Sequence, residues 1–511
     1  MLTLNLTKKK FWDNAAEGYV FFLKENLVNS SQLSTLDHIE QNFYPHLKSI
    51  LKKHLFEGKK GQSFVLSNMQ NDKLVQFIFI GLGELNDTWN VNLETLRRAT
   101  ATTIHLLKKL SIKTAIVALP EEKPFNVSDT FLLKQMGIAA HMASYEFLTF
   151  KNEKKKQEWS VDLSFVISAN YDEASFAKSL HQANIVGSSI NTARNWADLP
   201  ANIMTPTTLA HEAQKIADKY HLPCTIFGRE KALELGMGGF CAVDAGSDQD
   251  GKFIVLEYRA PNPKATTIAL CGKGVMFDTG GINLKPSSHI SGMKFDMTGA
   301  ASVIALMETF AQLKPDVNVI ALAPCVENMP SGKATRPDDI IVHMNGKTTE
   351  IENTDAEGRL ILADTLCYAE KFYKPDIMID IATLTGAVLY GLGHFYTGMM
   401  SKDRELVEMF SNLGKLTGDR VWELPLDDDF KEAIKSEVAD IRNSGSSAYY
   451  AGTITAACFL HNFVDKVRWV HLDVAGTAHD VTGINYIGKG ATGASMRLLA
   501  EFILSMNQHN A

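Results

Sequence analysis

Between Asn353 and Leu360 the chain reads NTDAEGRL, which sets Asp355, Glu357 and Arg359 at alternate positions just ahead of an apolar run. Upstream, Cys271 to Gly281 reads CGKGVMFDTGG and is followed by Lys285 and then by Asp296 in KFDM. In an extended segment the side chains of Asp355 and Glu357 project to one side, whereas a helix separates them by about 200°. Converging carboxylates repel one another, and a metal ion is the usual remedy. Oxygen-rich clusters of this kind suit Mg²⁺, Mn²⁺ or Zn²⁺.

Each residue also has a plainer role. Thr354 followed three positions later by Glu357 reads as a capping box for a helix beginning near Arg359, and taken alone the cap is the favoured reading. Asp278 suits a turn before Gly280 and Gly281, and Asp296 suits a solvated helix start. The combination of acids and lysines where turns are expected shifts the balance toward a site.

On these residues the chain resembles the M17 leucyl aminopeptidases, whose octapeptide NTDAEGRL it matches without a mismatch. The resemblance also covers NWADLPANIMTP (Asn195 to Pro206), KGVMFDTGGINLKP (Lys273 to Pro286), MPSGKATRPDD (Met329 to Asp339), DIATLTGA (Asp380 to Ala387), HLDVAGTA (His471 to Ala478) and KGATG (Lys489 to Gly493). The N-terminal third carries no motif that matches. Gly488 stands before KGATG where relatives often have proline, and Ser287 to Gly292 replaces an acid-containing loop, so loop stiffness and substrate preference are open to change.

The resemblance implies two divalent metals per chain, Zn²⁺ or Mn²⁺. One would be held by Lys273, Asp278, Asp296 and Glu357, the other by Asp278, Asp355 and Glu357, with Asp278 and Glu357 bridging. Four carboxylates balance two such cations if Lys273, whose ordinary pKa is about 10.4, binds as a free amine. Metal binding would then release a proton and weaken in acid. With the metals about 3.5 to 4 Å apart, a bridging water becomes hydroxide-like near neutral pH while one metal polarises the scissile carbonyl. Anchoring of the substrate's α-amine on the other metal explains release of one residue at a time.

By the same resemblance Lys285 stabilises the oxyanion. Arg359 anchors a bicarbonate that acts as general base; arginine, with a pKa above about 12, cannot be the base itself, but its planar fork suits an oxyanion. Met293, Ala475 and Ala478 line an apolar pocket for the first side chain, and Thr383 and Gly386 lie near the substrate. Met293 read blind is core filler, and TLTG read blind is a strand exit. The implied enzyme is a cytosolic leucyl aminopeptidase that prefers leucine and other bulky apolar first residues. Members of the family typically form homohexamers.

The elements that must position these residues read as α/β. Thr267 to Cys271, Val317 to Cys325 and Ile377 to Ile381 are short apolar runs of buried-strand type with helical patterns between them. Such alternation favours a central mixed, largely parallel sheet flanked by helices, with the site beyond the carboxyl ends of the strands. The N-terminal part alternates strand-like runs (Phe64 to Leu66, Leu74 to Leu82, Thr114 to Leu119, Leu163 to Ser168) with helical ones (Leu96 to Leu110, Thr130 to Phe147) and forms an α/β domain of its own. A helical pattern from Glu173 to Trp196 links the two. The expected division is 1–170, a linking helix over 171–200, and a catalytic domain over 201–511.

Other patterns are near-misses. GKGATG, Gly488 to Gly493, matches GxGxxG but lacks a βαβ unit and a downstream acid, and reads as an active-site loop. His211 and Glu212 begin HExxH, but Lys215 occupies the second ligand position. His289 reads as a solvent-facing loop residue. KNEKKK, Lys151 to Lys156, reads as a solvated loop ending the first domain.

A length of 511 residues with 45% hydrophobic content supports two substantial domains, and the net charge of −7 argues against nucleic acid or acidic membranes as partners. Six cysteines without a CxxC pair point to a reduced cytosolic setting. The N-terminus MLTLNLTKKKFWDN lacks the apolar core of a secretory signal, and no apolar run of about 18 residues offers a membrane span. Three rivals stand beside the leucyl reading: a dipeptidase acting mainly on Cys-Gly, a DNA-binding regulator on the same scaffold, and a catalytically dead homologue. The lack of a basic stripe counts against the second, and the intact set of ligands with Lys285 and Arg359 against the third.

Overall fold

The computed structural model describes residues 2–9, 11–25, 34–70, 72–85, 89–120, 125–152, 159–446 and 450–506. Most of the KNEKKK run, from residue 153 to Lys156, lies outside them. The chain forms two compact units, Met1–Ser188 with Gly483–Gly488, and Ser189–Thr482 with Lys489–Ala511. Both are α/β.

The first unit is built on a six-stranded sheet of β1 (Leu2–Thr7), β2 (Gly18–Lys24), β3 (Ser63–Gln70), β4 (Lys73–Gly83), β5 (Thr114–Ala118) and β6 (Val161–Val166), in the order β1-β6-β5-β2-β4-β3. Only the β3–β4 hairpin is antiparallel. Strands covered on both faces read as unbroken apolar runs, as YVFFL in β2 and FIFIGL in β4 do. Phe21 stacks on Phe79 and Tyr19 on Phe77, with centroids 5.4 and 5.7 Å apart. Gly483–Gly488 is held in this unit by Arg98 Nη1, which donates to the Gly483 carbonyl at 2.7 Å, and by the Tyr486 hydroxyl, which donates to Glu94 at 2.9 Å.

The second unit has a nine-stranded sheet of β7 (Cys224–Phe227), β8 (Lys252–Tyr258), β9 (Thr267–Gly272), β10 (Gly274–Asp278), β11 (Asn318–Asn328), β14 (Ile377–Ala382), β15 (Thr397–Met400), β16 (Val421–Glu423) and β18 (Arg468–Asp473). Its order is β16-β15-β18-β14-β9-β11-β8-β7, with β10 beside β11. The central run β18-β14-β9-β11 is parallel; β15, β8 and β7 add antiparallel pairings toward the edges. A smaller sheet joins β12 (Ile340–Val342), β13 (Thr348–Glu350) and β17 (Ile441–Arg442).

Helices Thr298–Leu313 and Gly358–Tyr373 pack on the large sheet through mostly buried positions. The first comes so close that a Cβ on Gly299 would lie 2.1 Å from the Ile381 carbonyl oxygen. No other residue type fits there without moving the helix off the strand ends. Among the described residues no helix is long and apolar enough to cross a membrane.

The helix Gly358–Tyr373 is anchored by Asp364, which is fully buried. It accepts the backbone N–H groups of Phe240 and Met344, each at 3.0 Å, and lies 3.1 Å from His343 Nδ1. Thr349 on β13 takes the other ring nitrogen of His343 at 3.0 Å. Removing this carboxylate leaves several buried partners unsatisfied. Asp364→Ala is therefore expected to lower the free energy of unfolding by about 3 kcal/mol or more, measured as a fall in denaturation midpoint; a change below about 0.5 kcal/mol would show that the hub is dispensable.

Candidate metal centre and active site

The carboxyl ends of the central parallel strands carry the motif residues. Lys273 joins β9 to β10, Asp278 closes β10, Asn328 closes β11, Thr383 to Gly386 follows β14, and Asp473 closes β18 ahead of Ala475. Neighbouring parallel strands point the same way, so residues far apart in sequence arrive at one rim.

There Asp278, Asp355 and Glu357 each present a carboxylate oxygen within 4.8 Å of the others. Lys273 Nζ lies 2.8 Å from Asp296 Oδ1 and 2.8 Å from Glu357 Oε1, and donates to the Thr383 carbonyl at 2.9 Å. Lys285 Nζ lies 2.8 Å from Asp278 Oδ2 and also contacts Asp355 Oδ1. Thr383 Oγ1 donates to Asp296 Oδ1 at 2.7 Å. The six charged side chains expected to converge do so.

The local structure differs from both simple expectations for the octapeptide. Asn353 to Ala356 is a turn, not an extended segment, with the Ala356 N–H on the Asn353 carbonyl at 3.1 Å. Asp355 and Glu357 meet because the chain folds back, not because side chains alternate along a strand. The capping box is not formed either. Glu357 occupies the N-cap of Gly358–Tyr373 without a side-chain cap bond, and its carboxylate faces Lys273. Thr354 Oγ1 donates to the Gly280 carbonyl at 2.6 Å and accepts the Asn283 N–H at 2.8 Å. Asp278 does serve the turn as well, accepting the Gly280 N–H at 2.9 Å.

Burial sets the electrostatics. It pushes the Asp278 carboxyl up to about 6, with Glu357 adding repulsion against the pull of the two lysines. Burial likewise raises Asp296, and burial with Glu357 raises Asp355. For Glu357 burial acts upward too, but Lys273 and Lys285 outweigh it and hold this carboxyl below its ordinary value. Burial disfavours the Lys273 cation, yet Asp296, Glu357 and Asp278 together keep the group above the usual lysine range. Lys285 is raised in the same way by Asp278 and Glu357 against the effect of burial.

Four carboxylates thus face two ammonium groups in a nearly dry setting, and Asp296 Oδ2 is buried without a hydrogen-bond partner. A hard-oxygen donor set with surplus negative charge and an open acceptor fits divalent cations. Arg359 is only 7% exposed; its Nη1 donates to the Asn443 carbonyl at 2.8 Å, while its buried Nε has no partner. Burial lowers its pKa to about 10, against the opposing pull of Glu357 and Asp473, so it stays cationic at neutral pH with a donor to spare. That fits a small oxyanion.

A cavity of about 690 Å³ opens on the carboxylates, and Met293, Thr383, Gly386 and Ala475 are among the residues that line it. Ala478 is fully buried away from that lining and accepts from Thr492 at its carbonyl. His289 is exposed at the rim. The Gly488 to Gly493 segment lies outside the lining; instead Ala491 bridges His479, which does line the cavity. His211 and Glu212 sit on the helix Pro206–Tyr220, where Glu212 pairs with Lys215 at 2.7 Å.

Several contributors had no role assigned from the sequence. His479 stacks on Phe295 at 4.4 Å and 12° to form an aromatic wall. Asn328 Nδ2 donates to Asp278 Oδ1 at 2.8 Å and to the Thr354 carbonyl at 3.0 Å, fixing one acid against the loop of another. Asp473 accepts from Thr385 Oγ1 at 2.6 Å and from the Leu384 and Ala475 amides at 3.2 and 3.1 Å, tying two cavity loops together. A lone Asn or Asp after a strand is an ordinary turn residue, and only the sheet order brings these partners together.

Residues 191–500 match the catalytic domain of the cytosol aminopeptidase family, and residues 20–154 match its N-terminal domain, a likeness the motifs of the N-terminal third do not disclose. A probable cytosol aminopeptidase of Nitrosospira multiformis is 39% identical over 464 residues, covering 90% of this chain and 88% of that protein. One from Aquifex aeolicus is 36% identical over 485 residues, covering 94% and 95%. Among solved structures, a point mutant of tomato leucine aminopeptidase superposes with a TM-score of 0.87 at 29% identity, over 99% of this chain and 96% of that one. Both family domains lie in order on one chain, with relatives alike along nearly its whole length, and the protein belongs to the cytosol aminopeptidase (M17) family of metal-dependent aminopeptidases.

Proposed function

We propose that this enzyme is a cytoplasmic leucyl aminopeptidase that works with two divalent cations, Zn²⁺ or Mn²⁺, and with bicarbonate, and that it assembles as a homohexamer. The observation that carries the two-cation reading is the convergence of Asp278, Asp355 and Glu357 within 4.8 Å, beside Asp296 and Lys273. Lys273, giving up its proton to bind as a free amine, would hold one cation with Asp278, Asp296 and Glu357, and Asp278, Asp355 and Glu357 would hold the other. When bound, such cations polarise a peptide carbonyl and acidify the attacking water.

The chain's own residues do the rest. Lys285 pairs with Asp278 and Asp355 and lines the cavity, which supports a role in stabilising the negative charge that develops on the carbonyl oxygen. An ammonium group there supplies positive charge to the oxyanion. Arg359 would hold the bicarbonate through its spare Nε–H, and that anion supplies a general base. Met293, Phe295 and Leu389 give the cavity an apolar wall against which the first side chain packs, which supports a preference for leucine and other bulky residues. The cation-rich, acid-lined end suits the free α-amine and carbonyl of a peptide terminus and not an internal segment.

Hydrolysis of leucine p-nitroanilide should vanish on chelation and return when Mn²⁺ or Zn²⁺ restores two metals per chain. Turnover that survives complete chelation would refute metal dependence, and no turnover with two metals bound would refute the leucyl preference. Asp278→Ala and Glu357→Ala should each lose both cations and nearly all activity; near-normal turnover at full metal content would exclude bridging. Lys285→Ala should keep the fold and both cations while turnover falls by about 10², and a missing cation in that variant would make Lys285 a ligand instead.

A further inference from the structure

The turn that carries Asp355 is clasped by one residue outside the cluster. Asn443, just beyond β17, is fully buried. Its Oδ1 accepts the N–H groups of Glu352 at 2.9 Å and Asn353 at 3.2 Å. Its Nδ2 donates to the carbonyls of Asn353 at 2.7 Å and Ala356 at 3.3 Å. An amide has two acceptor sites and two N–H donors, and here all are spent on backbone groups flanking Asp355. The main chain of Asn443 acts on the same region: its N–H donates to the Glu350 carbonyl at 3.0 Å and its carbonyl receives Arg359 Nη1 at 2.8 Å.

Asp355 depends on that clasp more than its neighbours do. Lys273, Asp278 and Asp296 stand on or beside strands β9 and β10 and the start of the helix Thr298–Leu313, and Glu357 opens a helix anchored by Asp364. Asp355 sits in the turn between a short strand and that helix, 32% exposed at its side chain, with its own N–H on Asn353 Oδ1 at 2.8 Å. Its carboxylate pairs with Lys285 Nζ.

We propose that Asn443 is a positioning residue which sets Asp355, and with it the affinity of the cation position to which Asp355 contributes, while leaving the Lys273–Asp296 position intact. This rests on the two-cation reading above. The chemistry requires an amide: an aspartate would keep the two acceptors but turn a negative oxygen toward two carbonyls, and an alanine would release all four backbone groups.

Isothermal titration of the full-length protein with Mn²⁺ tests it. The wild type should bind two Mn²⁺; Asn443→Asp and Asn443→Ala should keep one of them at wild-type affinity and weaken the other about 10- to 100-fold, with kcat reduced and KM changed by less than about threefold. Equal affinities in a folded variant would overturn the proposal, and so would equal weakening of both positions, which marks general loosening. Should the variants not fold, hydrogen exchange in the wild type decides: the Glu352 and Asn353 amides are expected to be protected, and free exchange there would overturn it. A wild type that binds fewer than two Mn²⁺ refutes the two-cation reading itself, and is thereby told apart from failure of the clasp.

Discussion

Mutual repulsion of carboxylates in a dry rim is the constraint to which the catalytic unit is fitted. Two unit charges 4 Å apart interact by about 4 kcal/mol at an effective dielectric of 20, whereas a typical hydrogen bond contributes a net of about 1 kcal/mol. No single bond could hold Asp278, Asp355 and Glu357 within 4.8 Å of one another. The arrangement holds them by sharing two lysines among four acids and by building each acid into a backbone that is itself anchored: β10 through its pairing with β11, and the helix Gly358–Tyr373 through Asp364. The close packing at Gly299 belongs to the same arrangement, since it brings the helix beside Asp296 against the strand ends where Lys273 emerges.

This also accounts for the burial of so many charged groups. Exposed, the acids would be screened by water and would have little hold on a cation; buried, their charge is concentrated and uncompensated by the two lysines alone. Burial raises the pKa of Asp278, Asp296 and Asp355 against the pull of the lysines, whereas for Glu357 the lysines outweigh burial. A cation-binding site needs that tension, because a fully neutralised cluster would have no free energy left to give to a metal.

The octapeptide, the lysines and Asp296 were legible because acids and lysines recur together where turns are expected and match the family's motifs, although each acid alone has a plainer reading. The parallel strands β9, β11 and β14 were legible as apolar runs for a related reason: a strand covered on both faces cannot alternate. The turn at Asn353 to Ala356 was not legible, because alternation of two acids is compatible with a strand and a capping box is compatible with Thr354 and Glu357; only contacts with Gly280 and Lys273, distant in sequence, decide otherwise. Asn328, Asn443 and His479 stayed hidden for the same reason. Their significance lies in partners brought by sheet order, and the pairing of β13 with β17 that delivers Asn443 joins strands of only three and two residues.

Sheet order also has to be right to the residue, and the interior of β14 and β18 bears on that. Asp380 and His471 are register partners on these parallel strands, with His471 Nδ1 2.5 Å from Asp380 Oδ1 and Trp469 Nε1 donating to Asp380 Oδ2 at 2.7 Å. All three are buried. Burial works against the His471 cation, but Asp380 more than offsets it and keeps the imidazole above its ordinary range. Such a pair adds little to stability compared with apolar residues of like size, yet separating it leaves an uncompensated buried charge at a cost of about 3 to 5 kcal/mol. A slip of two residues between β14 and β18 would preserve which faces point inward, so apolar packing alone would not forbid it. It would part Asp380 from His471 and at the same time carry Asp473 away from Thr385 and Leu384. The hydrogen-bonded pair therefore penalises a misalignment that the hydrophobic pattern tolerates, while the separate pairing of β14 with β9 keeps the Thr383 carbonyl opposite Lys273.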